Sequence, residues 1–563
     1  MIRKEIINQY VSSLREDSEL DYIFPLLLER MGYRILSTPK QSKGQPQYGR
    51  DVVALKKHQG TMTLWLFELK GFRAKDITDR TLNEPDGIIE SLNASKYTKY
   101  RDASIPELSK YPRRYVLAHN GTVEANAMRT LSDYVEETFP EGNFERWDLF
   151  YLTDLFSKFL FDETLLTDEE SYRLFKRVLV LLDSEGNDYS DIVRFVDLQI
   201  SRMDVLQKIK NERSVLNFFA TLRLTASMVY FYAEEDNNLY PAKFCIDTIV
   251  LKTWAWILRH KKEKSKKIMS HFNSLVLFQL QVYETYLNKI LKFAVLPKGL
   301  YSYEPTDTEY LFYPLRCFDF LGDLIYYYEA TEAYLDINED VVRGNLDILH
   351  AVIENNPASC VPLLDTHSIP ILMLFRYVYL HGTSEKDCNF IGEFIIKCII
   401  NISKRHNQLK IWPEMKGSKL ALARSIYAKS DDYCTDSSLL ILTLFELMAY
   451  MNLNMFYDVF KKTVEESKVN LQIAYPVADE NDIEQILFEH RLYDELSVAT
   501  GVKLPPTLAE FKESFQKPYE SITYRTDKVG YRFLRTLAHK YYETDFFPDY
   551  LGRQFCTEVS KDH

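Results

Sequence analysis

Tyr48-Gly49-Arg50-Asp51-Val52-Val53-Ala54-Leu55-Lys56-Lys57-His58-Gln59-Gly60-Thr61-Met62-Thr63-Leu64-Trp65-Leu66-Phe67-Glu68-Leu69-Lys70 decides how the 563-residue chain is read. Two β-rich runs, 51–57 and 62–70, flank His58-Gln59-Gly60-Thr61, whose Gln-Gly centre predicts a tight hairpin turn. With the turn centred between Gln59 and Gly60, facing residues have numbers that sum to a constant, and Asp51 falls opposite Glu68. Two facing carboxylates repel by up to ~1 kcal/mol unless something positive lies between them. Side chains alternate along a strand, so Lys70 shares the face of Glu68. Asp, Glu and Lys thus converge at one end of a hairpin whose other residues are largely apolar, and a bound divalent cation is one way to relieve the cost of burying them.

The flanking sequence predicts a layered α/β domain. A helix over 18–31, stopped at Gly32, precedes a short strand over 33–37. After the hairpin come a helix over 86–101, a strand over 114–119, a helix over 123–139, a strand over 146–152 and a helix capped by Thr153 or Asp154. Composition changes at the same place. Residues 1–160 hold 8 of the 18 glycines and equal numbers of basic and acidic residues, 23 each. The rest is glycine-poor, carries the whole net charge of -12 and shows helix periods throughout. The expected fold is an N-terminal α/β domain, a central mixed sheet flanked by helices, followed by a large all-α C-terminal region. The expected divisions are 1–160, 161–296 and 297–563, with a Pro- and Gly-bearing connector over 296–314.

Several function classes lack support. The first residues, Met1-Ile2-Arg3-Lys4-Glu5, place charges where a signal peptide needs an apolar run. The most apolar long segment, 439–456, contains Glu446, Asn452 and Asn454 and predicts a buried helix, not a membrane span. Seven dispersed cysteines without a CxxC fit a reducing compartment, so a cytoplasmic protein is expected. P-loop, GxSxG and HExxH motifs are absent. Arg376 and His381 form an R-x4-H spacing, but the apolar residues between them predict core packing.

The Gly49-Arg50-Asp51 and Glu68-Leu69-Lys70 segments, with the preceding helix ending in Gly32-Tyr33, resemble the PD-(D/E)xK nuclease superfamily, its Mrr-like restriction endonuclease branch in particular. The resemblance covers about residues 10–160 and implies a restriction-endonuclease-like domain. Asp51, Glu68 and the backbone carbonyl of Leu69 would bind Mg²⁺, with Mn²⁺ as a substitute, and Lys70 would orient the attacking water and stabilise charge on the phosphate. The family's first-helix acid falls on Asp21, with Glu19 as the alternative; Arg50 stands where the family more often has proline. The function implied is DNA cleavage in restriction or anti-phage defence. Lys96, Tyr100, Arg113 and Arg114, in a basic stretch interleaved with tyrosines, are the expected nucleic-acid contacts. The helical region is expected to serve regulation, homo-oligomerisation or a partner protein. The alternatives are a helical sensor or scaffold with an inactive nuclease-like domain, and a ribonuclease using the same triad.

Overall fold

The structure is a computed structural model that describes residues 2–39, 49–71, 76–85, 87–101, 105–162, 165–184, 188–205, 211–303, 306, 308–335, 337–427, 433–475, 483–490, 497–515 and 524–544. Tyr48 of the hairpin motif lies outside them.

The chain begins with helix α1 (Ile2–Ser13), a π-helical turn over Glu16–Leu20 and α2 (Asp21–Arg30). Strand β1 (Arg34–Ser37) leads to β2 (Val52–His58) and β3 (Thr61–Lys70). Gln59 and Gly60 both take positive φ, 49° and 83°, as a two-residue hairpin turn matched to strand twist requires. The register runs from His58 opposite Thr61 to Val52 opposite Phe67, the expected pairing. The pairing stops there: Asp51, just before β2, donates its N–H to the Phe67 carbonyl at 2.9 Å, so Asp51 and Val52 both meet Phe67, as at a β-bulge, and the expected pairing of Asp51 opposite Glu68 is corrected.

After β4 (Asp76–Ile77), α3 (Asp79–Asn83) and α4 (Ile88–Tyr97), strand β5 (Arg113–His119) joins β3 in parallel. Then follow β6 (Thr122–Val123), α5 (Ala125–Thr138), β7 (Phe144–Trp147) and α6 (Leu149–Phe159). The main sheet has the order β1-β2-β3-β5-β7, with its first two pairs antiparallel and the last two parallel. Each face buries apolar residues. Val53, Leu55, Leu64, Leu66 and Tyr115 pack with Leu108 and Phe139 on one face. On the other, Trp65 and Phe67 meet Tyr33, Phe24 and Trp147 edge-on or tilted.

The strand expected over 146–152 is corrected to Phe144–Trp147. Asp148 stops it by capping α6, its carboxylate accepting the Tyr151 N–H at 3.0 Å, so the apolar residues that follow are helical. Neither Thr153 nor Asp154 is the cap.

The chain forms two compact units, Met1–Ile249 and Val250–His563, divided inside helix α10 (Tyr240–Arg259) and not at 160 or 297. The first unit continues past the sheet through α7 (Glu169–Leu181), α8 (Ser190–Val205) and α9 (Glu212–Glu235). These return onto α1: the Tyr10 hydroxyl donates to the Leu165 carbonyl, and Arg223 on α9 donates to Gln9 at 2.7 Å and pairs with Glu5 at 3.5 Å. The second unit is mainly helical, including α11 (Lys266–Ala294), α12 (Glu309–Tyr334), α13 (Glu339–Asn355), α14 (Ser368–His381) and α15 (Glu385–Leu409). It also carries a three-stranded sheet over Ser437–Ser438, Asn470–Tyr475 and Ser497–Thr500. Pro314, expected in the connector, lies inside α12. Arg376 is buried against Glu329 at 3.3 Å, and His381 meets Glu332 at 3.1 Å. Among the described residues no helix is long and apolar enough to cross a membrane.

Candidate functional site

The ladder that positions the hairpin also positions its charges. Val53 and Leu55 on β2 share a face with Leu64, Leu66, Glu68 and Lys70 on β3, and Asp51, just before β2, reaches the same strand end through the Leu69 N–H. The face is apolar as far as Leu66 and becomes charged at its last two positions. Leu117 of β5 stands beside Glu68 and belongs to a second apolar cluster with Leu82, Ile88, Leu92 and Leu131 from α3, α4 and α5. The charged end of the hairpin is therefore walled by helices.

Within it, Lys70 Nζ lies 2.8 Å from Glu68 Oε1 and 3.6 Å from Glu16 Oε1. Glu16 also accepts the Gly71 N–H, at 2.8 Å. Asp51 Oδ2 accepts the Leu69 N–H at 2.7 Å. The Glu68 side chain is 4% exposed, and its Oε2 is buried with no hydrogen-bond partner among the described residues. Burial first, then the Glu68 charge, push the Asp51 carboxyl well above its ordinary value, against the opposing pull of the Leu69 N–H and Lys70. Burial pulls the Lys70 ammonium down, but Glu68, Glu16 and Asp51 outweigh it and hold the pKa above the usual lysine value.

The structure brings Glu16 to this site from the first helical segment, where the sequence pointed to Asp21 or Glu19. The π-helical turn sets Glu16 against the end of β3. Asp21 is the first residue of α2, and Glu19 turns back to accept the Arg15 N–H at 2.6 Å. Glu16 lies N-terminal to the stretch counted back from Gly32, in the π-helical turn that precedes α2. A carboxylate just before α2, in a turn of charged residues, was the signal available in the sequence.

The expected nucleic-acid contacts are not gathered at the charged end. Arg113 pairs with Leu64 in the β3–β5 ladder, six residues from Lys70, or ~20 Å along the strand. Arg114 donates to Glu145 at 3.0 Å, lies 3.3 Å from His58 Nε2 and covers the Trp65 ring at 5.3 Å. Lys96 Nζ bonds the Thr138 carbonyl at the end of α5 and sits over the Phe139 ring, a cation placed where a helix C-terminus favours one. Tyr100 packs against the Leu66 cluster with the Arg50 guanidinium 5.7 Å over its ring, and Arg50 also donates to the Thr98 carbonyl at 3.0 Å. Lys96, Tyr100 and Arg114 thus serve intramolecular packing. Arg114→Ala is expected to lower unfolding stability by about 1–2 kcal/mol and to leave nucleic-acid affinity and its salt dependence unchanged. Denaturant melts and binding isotherms at two salt concentrations check both parts.

Among the described residues no three His, Cys, Asp or Glu side chains are grouped so as to hold a metal ion. The candidate donor set is the Asp51–Glu68 pair, with the Leu69 carbonyl beside it on the same strand end. Two carboxylates completed by water suit Mg²⁺, which takes few ligands from protein. A buried carboxylate oxygen without a partner, facing a second acid whose ionisation is suppressed, is a donor set that a cation would satisfy.

Comparison with protein-family models, curated proteins and solved structures finds no match to this chain.

The raised Asp51 pKa sets a pH dependence. A carboxyl whose folded pKa exceeds its unfolded value, ~3.9, contributes stability that is fully present below that value and is lost as pH rises through the folded one. Asp51→Asn keeps an acceptor for the Leu69 N–H and removes the facing charge. In metal-free buffer the variant should exceed wild type in stability by about 1 kcal/mol near neutral pH, the advantage shrinking toward pH ~4. Urea unfolding at several pH values tests this; an advantage independent of pH contradicts it.

Proposed function

We propose that the N-terminal unit is a divalent-metal-dependent endonuclease that hydrolyses phosphodiester bonds in DNA. The observation that carries this reading is the meeting of Asp51, Glu68 and Lys70 at the end of one hairpin, with Lys70 2.8 Å from Glu68 and an orphaned carboxylate oxygen in the same cluster. The resemblance of these residues to the PD-(D/E)xK nucleases gives the reaction class.

Asp51 and Glu68 would hold Mg²⁺, with the Leu69 carbonyl as a further ligand. The ion would polarise the phosphate and supply a water acidified enough to attack it. Lys70 is held as an ammonium, so its part is a fixed positive charge facing negative charge on the phosphate and not proton abstraction. Glu16 keeps that ammonium at the end of β3 and is a positioning residue. Apolar residues of α3, α4 and α5 pack with Leu117, the neighbour of Glu68 across the β3–β5 ladder. One such site cuts one strand, so a double-strand break requires two copies. Restriction or anti-phage defence is the setting that the resemblance suggests.

A second reading has its own observation: Lys70 is closed on Glu68, and Asp51 is engaged by the Leu69 N–H. A nuclease-like domain that binds nucleic acid without cutting would be content with those partners. Incubation of the full chain with double-stranded DNA, single-stranded DNA and RNA, each with and without Mg²⁺, separates the readings. Metal-dependent DNA cleavage supports the proposal. Binding without cleavage of any substrate favours the second reading, and cleavage of RNA alone moves the assignment to a ribonuclease.

A further inference from the structure

Two thiols meet in the second unit where the turn over Pro357–Cys360 packs against α15. The Asn401 side-chain N–H donates to the Cys360 carbonyl at 2.8 Å, which seats the turn on one face of α15. Phe394, Lys397 and Asn401 on that face line a cavity of about 700 Å³ together with Cys360. Cys398 belongs to the same face, four residues from Phe394 and three from Asn401. Its S–H donates to the Cys360 sulfur, so the two side chains are in direct contact across the two elements. Both are free thiols.

Their surroundings give them unequal roles. Cys360 keeps 5% exposure in the cavity wall, whereas Cys398 has none. The hydrogen bond from Cys398 holds the Cys360 thiol below its usual value; burial opposes that pull, and the Lys397 ammonium adds to it. Burial, then the bond it donates, push the Cys398 thiol well above its own. Cys360 is thus the readier thiolate, and the thiolate is the nucleophile. Cys317, buried on α12, is a third thiol of the neighbourhood, and burial pushes it up to about 12 and keeps it protonated.

We infer that Cys360 and Cys398 form a disulfide on exposure to hydrogen peroxide, joining the turn covalently to α15. The inference is independent of the nuclease reading. The Cys360 thiolate attacks one peroxide oxygen: an S–O bond forms, the O–O bond breaks, and the departing hydroxide takes up the proton that Cys360 gave on ionising. The Cys398 sulfur then attacks the sulfenic acid: an S–S bond forms, the S–O bond breaks, and the leaving hydroxide takes the Cys398 proton. The two thiols lose two electrons, and the peroxide is reduced to two waters. The product closes a loop that contains α14 and fixes one wall of the cavity.

Treatment of the full chain with hydrogen peroxide, followed by alkylation of the remaining thiols and mapping of tryptic peptides, tests it. Cleavage after Lys397 places Cys388 and Cys398 on separate peptides, and Cys388, exposed on α15, reports the reaction of a surface thiol. The Cys360–Cys398 linkage is expected to form about tenfold faster than Cys388 is modified, and dithiothreitol should reverse it. In Cys398→Ser the reaction should stop at a sulfenic acid on Cys360, trapped by dimedone. A linkage that forms no faster than Cys388 reacts, linkage of Cys360 to Cys317 in place of Cys398, or an unreactive Cys360 in folded Cys398→Ser overturns the inference. The linkage map of the wild-type chain requires no variant, so it decides should Cys398→Ser fail to fold.

Discussion

Lys70→Ala is expected to lower Mg²⁺-dependent DNA cleavage by about 10²–10³-fold, the loss typical of removing one preorganised charge from a transition state. DNA affinity should change little, because losing a single phosphate contact costs far less in binding than losing a preorganised charge costs in rate. The split follows from the geometry. Lys70 is about one-fifth exposed, lies between Glu68 and Glu16, and is held protonated by them. It presents charge at one point of the cluster and is not part of a broad basic surface. Lys70→Arg should not restore full activity, since a planar guanidinium fills a narrow charged corner differently from a compact ammonium. Equal loss of binding and cleavage in Lys70→Ala would place the residue in substrate capture. Unchanged cleavage would remove it from the chemistry.

The second large effect concerns stability. Gly49 precedes the hairpin acids with φ +68°, and a Cβ there would stand 1.8 Å from the Ser91 carbonyl oxygen on α4. The left-handed backbone costs an alanine about 1–2 kcal/mol, and the overlap with helix backbone forces α4 or the strand to shift. Gly49→Ala should therefore lower unfolding stability by about 3 kcal/mol or more. Gly60, in the hairpin turn, provides the comparison: φ is +83°, but a Cβ added there would meet no atom within 4 Å. Gly60→Ala should thus cost only about 1 kcal/mol. Denaturant melts of the two variants test the difference, and equal losses would contradict a close approach of Gly49 to α4. Because Gly49 sets where Arg50 and Asp51 enter the ladder, its alanine variant should also lower cleavage.

The hairpin was legible in the sequence because its information is local. A Gln-Gly turn and alternating side chains suffice to give the register from His58–Thr61 to Val52–Phe67 and to put Glu68 and Lys70 on one face, whereas Asp51, expected opposite Glu68, bonds the Phe67 carbonyl instead. The sheet with flanking helices and the helical remainder were legible from the same periodicities. What escaped depends on contacts between distant residues. Arg114 and Lys96 read as free cations until Glu145 and the Thr138 carbonyl, 31 and 42 positions away, are seen to hold them. Glu16 is recognised only once the π-turn brings it to Gly71, 55 positions on. The return of α9 onto α1 moved the unit boundary to 249, because Arg223 and Glu5 are more than two hundred residues apart in sequence.

In the proposed site Asp51 and Glu68 share a cation. The most direct test of this is a calorimetric titration of Mg²⁺ into the wild-type protein and into Glu68→Gln, without nucleic acid. Saturable binding to wild type that raises the melting temperature is expected, with both the heat and the shift lost in Glu68→Gln. Equal binding by the two proteins, or none by wild type, would contradict it.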